Sequence, residues 1–164
     1  MIKTYILGTG FLSNNLQKKI NNSEILSANK FLNKINLINI KKNKINLIIN
    51  SFYSSKKLNE NSSFKNFTKK SLLDISEIFD KANPNLIKKI VYTSSSSVYG
   101  SINSKITIND QNNRYLYSSF KLAAETMLKN SKNNKNYQLY IYILFKERHT
   151  HISLQNRSDS RSRQ

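Results

Sequence analysis

Hydrophobic residues in this chain fall into short continuous runs that alternate with longer segments of helical spacing. Apolar runs of strand length occupy Ile2–Leu7, Ile45–Ser51, Ile87–Thr93 and Tyr137–Phe145, with a shorter candidate strand at Glu24–Ser27. Apolar residues recur at helical intervals over Phe11–Ile20, Phe64–Ala82 and Tyr115–Asn130. Continuous apolar runs are typical of strands that are buried on both faces. Strands that alternate with helices predict parallel βαβ units and hence an α/β fold.

The same pattern predicts where the helices pack and end. One face of the first predicted helix carries Phe11, Leu12, Leu16 and Ile20. We expect this apolar face to pack on the sheet. The helix that begins at Phe64 should end before Pro84. Segment Phe31–Lys44 stays ambiguous, because its helical spacing competes with a composition rich in Asn and Ile. Residues 53–63 and 100–113 are predicted loops.

Composition excludes several kinds of site. The 164-residue chain is long enough to bury one full core, so a single domain is expected. The absence of cysteine excludes disulfides, a thiolate zinc site and a cysteine nucleophile. Because the two histidines, His149 and His151, lie together near the C-terminus, no histidine-based site is possible elsewhere. Two such ligands alone are weak grounds for a metal site, and none is predicted.

The charge of +18 invites a nucleic-acid interpretation. However, the lysines are spread along the chain, and Lys, Asn and Ile dominate together, as AT-rich codons would produce. We therefore expect non-specific attraction to polyanions that weakens with salt, rather than a specific site. No apolar run approaches 18 residues and no secretory signal is evident, so a cytoplasmic protein without a membrane span is expected.

The last residues differ in composition from the rest. All 22 lysines lie at or before Lys146, whereas four of the five arginines lie at or after Arg148. Two explanations compete: a basic disordered tail that contacts polyanions, or out-of-frame translation, which the abrupt change favours. Neither predicts folded structure there. The expected division is a domain over residues 1–145 and a basic tail over 146–164.

The segment Gly8-Thr9-Gly10-Phe11-Leu12-Ser13 follows the first predicted strand and begins the first helix. A strand, a tight glycine turn and a helix N-terminus present backbone N–H groups to a pyrophosphate. Glycine suits a backbone that needs a positive φ or a close approach to a ligand. Gly8, Thr9, Gly10, Phe11 and Leu12 are therefore candidate cofactor-binding residues, although an ordinary strand–helix turn would look similar.

Tyr117 and Lys121 are spaced four apart on a predicted helix, which puts both side chains on one face. A lysine ammonium near a phenol favours the phenolate and lowers its pKa, so the phenol can exchange protons near neutral pH. Tyr53/Lys57 and Tyr142/Lys146 share this spacing. Context distinguishes Tyr117, because a hydroxyl-rich strand end, Thr93–Ser97, precedes its helix. Ligands of parallel α/β sheets bind at such strand ends.

The run Val91–Gly100, followed by Tyr117-Ser118-Ser119-Phe120-Lys121-Leu122-Ala123-Ala124-Glu125, resembles the extended short-chain dehydrogenase/reductases. These are NAD(P)-dependent epimerases, dehydratases and reductases of nucleotide sugars, and the resemblance covers about residues 1–145. It implies a Rossmann-like doubly wound parallel sheet.

The resemblance also implies roles for individual residues. Tyr117 would be the catalytic acid/base, while Lys121 would lower the pKa of Tyr117 and hold the nicotinamide ribose. Tyr117 and Lys121 would therefore also belong to the cofactor-binding residues. Ser95 would hydrogen-bond the reacting substrate oxygen. Family members often dimerise through helices that include the one carrying Tyr117, so the resemblance allows a homodimer if the fold is intact.

The chain departs from the family pattern in three ways. Where the family usually has G-x-x-G-x-x-G, this chain has Leu7, Gly10 and Ser13, with Gly8 inside. No acidic residue ends the second strand; Ser27–Lys30 stands there and would tolerate a 2′-phosphate, so NAD and NADP both stay open. Finally, family chains run to about twice this length and supply a substrate lobe that we expect to be missing here. Cofactor binding with little turnover is therefore expected, and a non-catalytic fragment or a basic polyanion-binding module is the alternative.

Overall fold

The computed structural model describes residues 2–50, 64–95, 98, 113–132 and 137–144. Its strands are β1 (Lys3–Leu7), β2 (Ser23–Leu26), β3 (Ile45–Ile49), β4 (Ile87–Ser95) and β5 (Gln138–Leu144). Its α-helices are α1 (Phe11–Lys19), α2 (Ala28–Lys41), α3 (Phe64–Thr68), α4 (Asp74–Lys81) and α5 (Asn113–Lys132). A π-helical turn, Lys69–Leu73, joins α3 to α4, and a short 3₁₀ turn, Pro84–Leu86, precedes β4.

The five strands form one parallel sheet in the order β2-β1-β3-β4-β5. The chain moves from β1 to one side for β2 and then crosses to the other side of β1 for β3. In the register of the sheet, Leu7 pairs with both Leu26 and Ile49. Because the strand order reverses at β1, a crevice is expected beyond Leu7, between the carboxyl ends of β1 and β3. The α/β fold with a Rossmann-like parallel sheet is confirmed.

Apolar strand residues form the centre of the core, and helix faces cover them. Leu7, Leu47, Ile49 and Ile90 are fully buried, which explains why their strands read as continuous apolar runs. Helices α2 and α4 contribute residues at helical spacing: Phe31, Ile35 and Ile38 from the first, and Ile75, Ile78 and Phe79 from the second. The core therefore continues from the sheet onto these two helices.

The ambiguous segment Phe31–Lys44 is mostly helix. Ser27 caps α2, because its hydroxyl accepts a hydrogen bond from the backbone N–H of Lys30 at 3.3 Å. The helix ends at Lys41, and the C-cap residue Lys42 adopts a left-handed backbone conformation (φ 53°). A capped start and one apolar face outweigh the β-branched composition, since burial of that face stabilises the helix.

The expected packing face of α1 is partly wrong. Phe11 is 85% exposed, and the buried residue of α1 is Ser13. Successive helical residues are rotated by about 100°, so Phe11 lies about 200° from Ser13. The glycine turn sets the phase of the helix so that Ser13 faces inward, with half-buried Leu16 and Ile20 three and seven positions later.

The other predicted elements agree with the structure in type. The predicted helix over 64–82 is continuous apart from the π-helical turn, and the last two strands and α5 shift by at most two residues at each end. The predicted loop 53–63, most of 100–113, and the predicted tail 146–164 lie outside the described residues, as do Ser96, Ser97, Tyr99 and Gly100. Among the described helices, none is both long and apolar enough to cross a membrane.

Candidate functional site

Gly8 makes the turn that leaves β1. Its φ is 111°, a conformation that side-chain-bearing residues rarely adopt, and its N–H donates to the carbonyl of Leu26 at 2.9 Å. This hydrogen bond continues the β1–β2 ladder one residue past the strand before the chain turns. The requirement for glycine at Gly8 is therefore imposed by the fold itself.

Gly10 has a different role, because no described residue comes close enough to require a glycine there. Its φ is −86°, and a Cβ built on it would meet no atom within 4 Å among the described residues. Gly10 is the N-cap of α1, and no side chain caps that end. The first-turn N–H groups of Phe11, Leu12 and Ser13 lack helical partners, and the helix dipole adds positive potential. This end of α1 can bind an anion, and open space lies in front of it.

Ser13 occupies the third position of the glycine pattern and faces the sheet. It is 0% exposed, and its Oγ accepts a hydrogen bond from Asn50 Nδ2 at 2.7 Å. Asn50 directly follows β3, and its own N–H donates to the carbonyl of Leu7 at 2.9 Å. The hydroxyl of Ser13 thus fits between α1 and the sheet because Asn50 hydrogen-bonds to it.

Asn50 is a site residue that the sequence reasoning missed. Its side chain is 95% buried, and Oδ1 has no hydrogen-bond partner among the described residues. Its position could have indicated a site residue, because Asn50 is a polar residue that directly follows a buried strand, at the point where the strand order reverses. Buried amides normally satisfy their hydrogen bonds, so an orphaned oxygen at this edge is notable.

A cleft of about 150 Å³ opens beside the glycine turn. It is lined by Gly8, Thr9, Ser27, Ala28, Asn29, Lys70 and Asp74. The end of β2 supplies no carboxylate to this cleft, as expected from Ser27–Lys30. A buried carboxylate comes instead from α4, where Asp74 accepts a hydrogen bond from Lys69 Nζ at 2.6 Å. Sequence reasoning also missed Asp74, because the π-helical turn that places it is not evident from spacing.

The ammonium group of Lys121 lies near the ring of Tyr117, the predicted acid/base residue. Its side chain is buried, and Nζ donates to the carbonyl of Thr93 at 2.7 Å. The same Nζ lies 4.7 Å from the ring centre of Tyr92 and 5.8 Å from that of Tyr117. Burial lowers the pKa of Lys121 to about 8, while the nearby charge of Glu125 opposes this effect. The lysine therefore stays mostly protonated at neutral pH, next to the phenol.

Tyr117 and Lys121 line a second, small cleft of about 20 Å³. The other lining residues are Asn50, Lys70, Ser71, Ile75, Tyr92 and Phe120. Lys70 lines both clefts, so the cleft beside the glycine turn and the cleft beside the Tyr117–Lys121 pair adjoin at this residue.

The remaining predicted site residues lie around this region. Ser95 is half-buried and ends β4, two residues after the carbonyl that Lys121 contacts. Leu12 is half-buried, and Phe11 projects into solvent at the start of α1. Across the described residues, no three His, Asp or Glu side chains come together in a way that could hold a metal ion.

The fold of the chain is shared with solved nucleotide-sugar enzymes. One is a GDP-D-glycero-L-gluco-heptose synthase from Campylobacter jejuni in the presence of NADPH, with a TM-score of 0.62 at 16% identity. The alignment covers 88% of this chain and 47% of that one. Another is MoeE5 in complex with UDP-glucose and NAD, with a TM-score of 0.61 at 18% identity, covering 87% and 53%. A third is a UDP-N-acetylglucosamine 4-epimerase from Methanobrevibacter ruminantium, with a TM-score of 0.58 at 17% identity, covering 85% and 53%.

The present chain spans about half the length of these solved structures. No curated protein matches its sequence. A sequence model of the NAD dependent epimerase/dehydratase family matches residues 9–147, which include the glycine turn and the Tyr117–Lys121 helix. The resemblance inferred from the motifs is therefore confirmed, and the chain belongs to the NAD-dependent epimerase/dehydratase family.

Proposed function

We propose that this chain binds NAD or NADP and that Ser95, Tyr117 and Lys121 serve an epimerase-, dehydratase- or reductase-type reaction of a nucleotide sugar. The observation that carries the proposal is the placement of Lys121, whose buried ammonium lies beside the Tyr117 ring and is fixed by the carbonyl of Thr93. A positive charge in that position favours the phenolate form of Tyr117, as a proton-exchanging group requires.

The cofactor would lie across the two clefts. The pyrophosphate fits the N-terminus of α1, where Gly10 leaves open space and no side chain caps the helix. Lys70, which lines both clefts, adds a positive charge between the two ends of the proposed site. The exposed residues Asn29 and Lys30 at the start of α2 would accept a 2′-phosphate, so NADP fits as well as NAD.

Side chains of the protein would accept and return the proton of the sugar hydroxyl. When bound, the nicotinamide supplies the acceptor or donor of hydride. The Tyr117 oxygen would take the proton of a sugar hydroxyl as that carbon is oxidised and would return it in the reverse step. Ser95 would orient the same substrate oxygen through its hydroxyl. Lys121 would keep the phenolate stable while it waits for a proton.

The substrate class rests on the family and on the named neighbours. Those neighbours include proteins crystallised with UDP-glucose or UDP-N-acetylmuramic acid. The chain spans about half the length of the solved structures, and we expect its cofactor binding to be readily measurable. Nucleotide sugars are the substrates to test first.

A thermal-shift titration of the full chain with NAD and with NADP tests the cofactor proposal. We expect at least one of them to raise the unfolding temperature, and we expect Lys121→Met to weaken the effect. Lys81→Met is the matched control, because Lys81 lies in an exposed ion pair with Glu77. No stabilisation of the wild-type chain by either cofactor would overturn the proposal.

Hydride transfer is tested by adding UDP- and GDP-sugars to the cofactor-loaded chain and following the absorbance of the reduced nicotinamide. Tyr117→Phe should abolish any turnover, because the phenolic oxygen serves the substrate proton. Equal turnover in Tyr117→Phe and wild type would remove Tyr117 from the chemistry.

A further inference from the structure

Glu125 is a carboxylate buried in the same helix as the proposed catalytic pair. It is 0% exposed and lies one turn after Lys121 on α5. Its Oε1 accepts a short hydrogen bond from Ser94 Oγ, and its Oε2 lies 3.5 Å from Lys129 Nζ. A fully buried carboxylate is costly unless it is paired and hydrogen-bonded, and Glu125 has both kinds of partner.

Glu125 and Lys121 attach α5 to neighbouring residues of one strand. Lys121 donates to the carbonyl of Thr93, and the hydroxyl of Ser94 donates to Glu125. These two contacts lie directly before Ser95 on β4. They fix both the height and the rotation of α5 against the strand, because two contacts one helical turn apart leave little freedom to slide or roll. Tyr117, one turn before Lys121, shares this alignment.

The charge of Glu125 also acts on Lys121. The groups that face the Lys121 ammonium are the Tyr92 ring from β4 and the Tyr117 ring from α5, with Lys70 from the π-helical turn on the same cleft. Asn50, at the end of β3, is uncharged. Among the described residues, Glu125 is the acidic group that raises the pKa of Lys121 against the larger effect of burial. Without it, the described neighbours of the ammonium would be the two rings and the carbonyl of Thr93, none of which carries a full negative charge.

We propose that Glu125 is a positioning residue that holds α5 against β4 and keeps Lys121 charged beneath Tyr117. The proposal rests on the proposed function only in that Lys121 is taken to assist Tyr117. Its two parts, the helix contact and the charge, are properties of the chain without cofactor and are tested in that state.

The charge is tested with lysine labelled with carbon-13, following the Cε resonance of Lys121 against pH and assigning it with Lys121→Arg. Glu125→Gln keeps the shape of the side chain and removes its charge. We expect the Lys121 midpoint to fall by about one pH unit, a tenfold loss of the charged form above the midpoint. Glu77→Gln is the matched control, because Glu77 also pairs with a lysine four residues later but is exposed. It should leave the midpoint unchanged.

An unchanged Lys121 midpoint in folded Glu125→Gln would overturn the proposal, even if that variant is less stable, because Glu125 would then be purely structural. A drop of the same size in Glu77→Gln would overturn it too. Neither readout uses NAD(P), so failure here is distinct from failure of the cofactor titration.

A double-mutant cycle in thermal unfolding covers the case in which Glu125→Gln does not fold. Lys121→Met removes the buried charge that interacts with Glu125 and leaves only the exposed Lys129 near that carboxylate, whereas the pair Lys121→Met/Glu125→Gln removes both buried charges. We expect the double variant to be more stable than the sum of the single losses allows. If neither single variant folds, a folded double variant supports the pairing, and an unfolded one overturns it. Losses that simply add would also overturn it.

Discussion

The two glycines of the turn should separate stability from cofactor binding. Gly10 has an ordinary φ, and an added Cβ would meet no protein atom within 4 Å in the described residues. We therefore expect Gly10→Ala to change the free energy of unfolding of the cofactor-free chain by less than about 1 kcal/mol. For a domain of this size, that corresponds to a shift of at most about 4 °C in unfolding temperature.

Cofactor binding should respond far more strongly to the same change. A wild-type chain at a cofactor concentration of about 100 Kd gains about 2.7 kcal/mol. If the Cβ at Gly10 stands where the pyrophosphate approaches and weakens binding about tenfold, the gain falls to about 1.4 kcal/mol at the same concentration. Gly10→Val, which carries two more methyl groups into the same space, should remove most of the remaining gain.

Gly8→Ala is the contrasting variant. Because the φ of Gly8 is 111°, alanine there is strained, and we expect the cofactor-free chain to lose about 1–3 kcal/mol. The assay is thermal unfolding of the three variants and wild type, with and without NAD or NADP, supported by calorimetric titration. Full cofactor stabilisation of Gly10→Val would refute the assignment of the pyrophosphate to this turn. A cofactor-free Gly10→Ala chain as unstable as Gly8→Ala would refute the reasoning from open space.

Three further predictions concern stability. Ser13→Ala should lower the free energy of unfolding by about 1–3 kcal/mol, because it leaves the buried amide of Asn50 without its hydrogen-bond acceptor. In denaturant titrations, the double variant Ser13→Ala/Asn50→Leu should recover part of that loss, and strictly additive effects would contradict the pairing. The hydrogen bond from Lys34 lowers the pKa of Glu24, so its stabilising effect is present above the unfolded pKa of about 4.5 and is lost as pH falls through the folded value. In Glu24→Gln, the free energy of unfolding should depend less on pH in that range, and a pH profile identical to that of the wild type would exclude the effect. Leu128→Ala should cost about 2–5 kcal/mol because Leu128 is fully buried, and a loss below about 1 kcal/mol would show that the site collapses.

The strand pattern was predictable because it follows from burial alone. Leu47 and Ile49 are buried, and so is Ile48 between them, so the apolar run in β3 is continuous rather than alternating. The helical assignment of α2 was also within reach, because Ser27 is a favourable N-cap residue and the spacing of its apolar residues is helical. The assignment of this segment was ambiguous because its composition, rich in Asn and Ile, disfavours a helix although the spacing of its apolar residues is helical.

The proposed catalytic pair, Tyr117 and Lys121, could be identified in the sequence only through its surroundings. Three Tyr/Lys pairs share a spacing of four, and the pair Tyr142/Lys146 begins on β5 with an exposed tyrosine. Tyr117 and Lys121 differ because they lie on a helix that packs against the end of β4. The spacing therefore carried little information until the fold supplied the neighbour.

The hydrogen bonds that position the residues of the candidate site were not predictable, because each joins residues far apart in the chain. Asn50 meets Ser13 across 37 residues, and Ser94 meets Glu125 across 31. The π-helical turn adds a further shift, since it rotates Lys70 and Asp74 relative to an uninterrupted α-helix. Periodicity reports which face is buried, but it does not report which polar groups meet there.

The departures from the family's glycine pattern fall on the protein side of the turn rather than on its ligand side. Leu7 stands where the first glycine is usual, yet it is a fully buried strand residue, and the adjacent Gly8 supplies the positive φ that the turn needs. Ser13 stands where the third glycine is usual, and its side chain faces Asn50 in the interior. Of the three pattern positions, Leu7 and Ser13 are buried, whereas Gly10 faces open space before α1 and matches the pattern. Cofactor affinity should therefore depend on Gly10 and the α1 N-terminus, while the substituted positions affect folding.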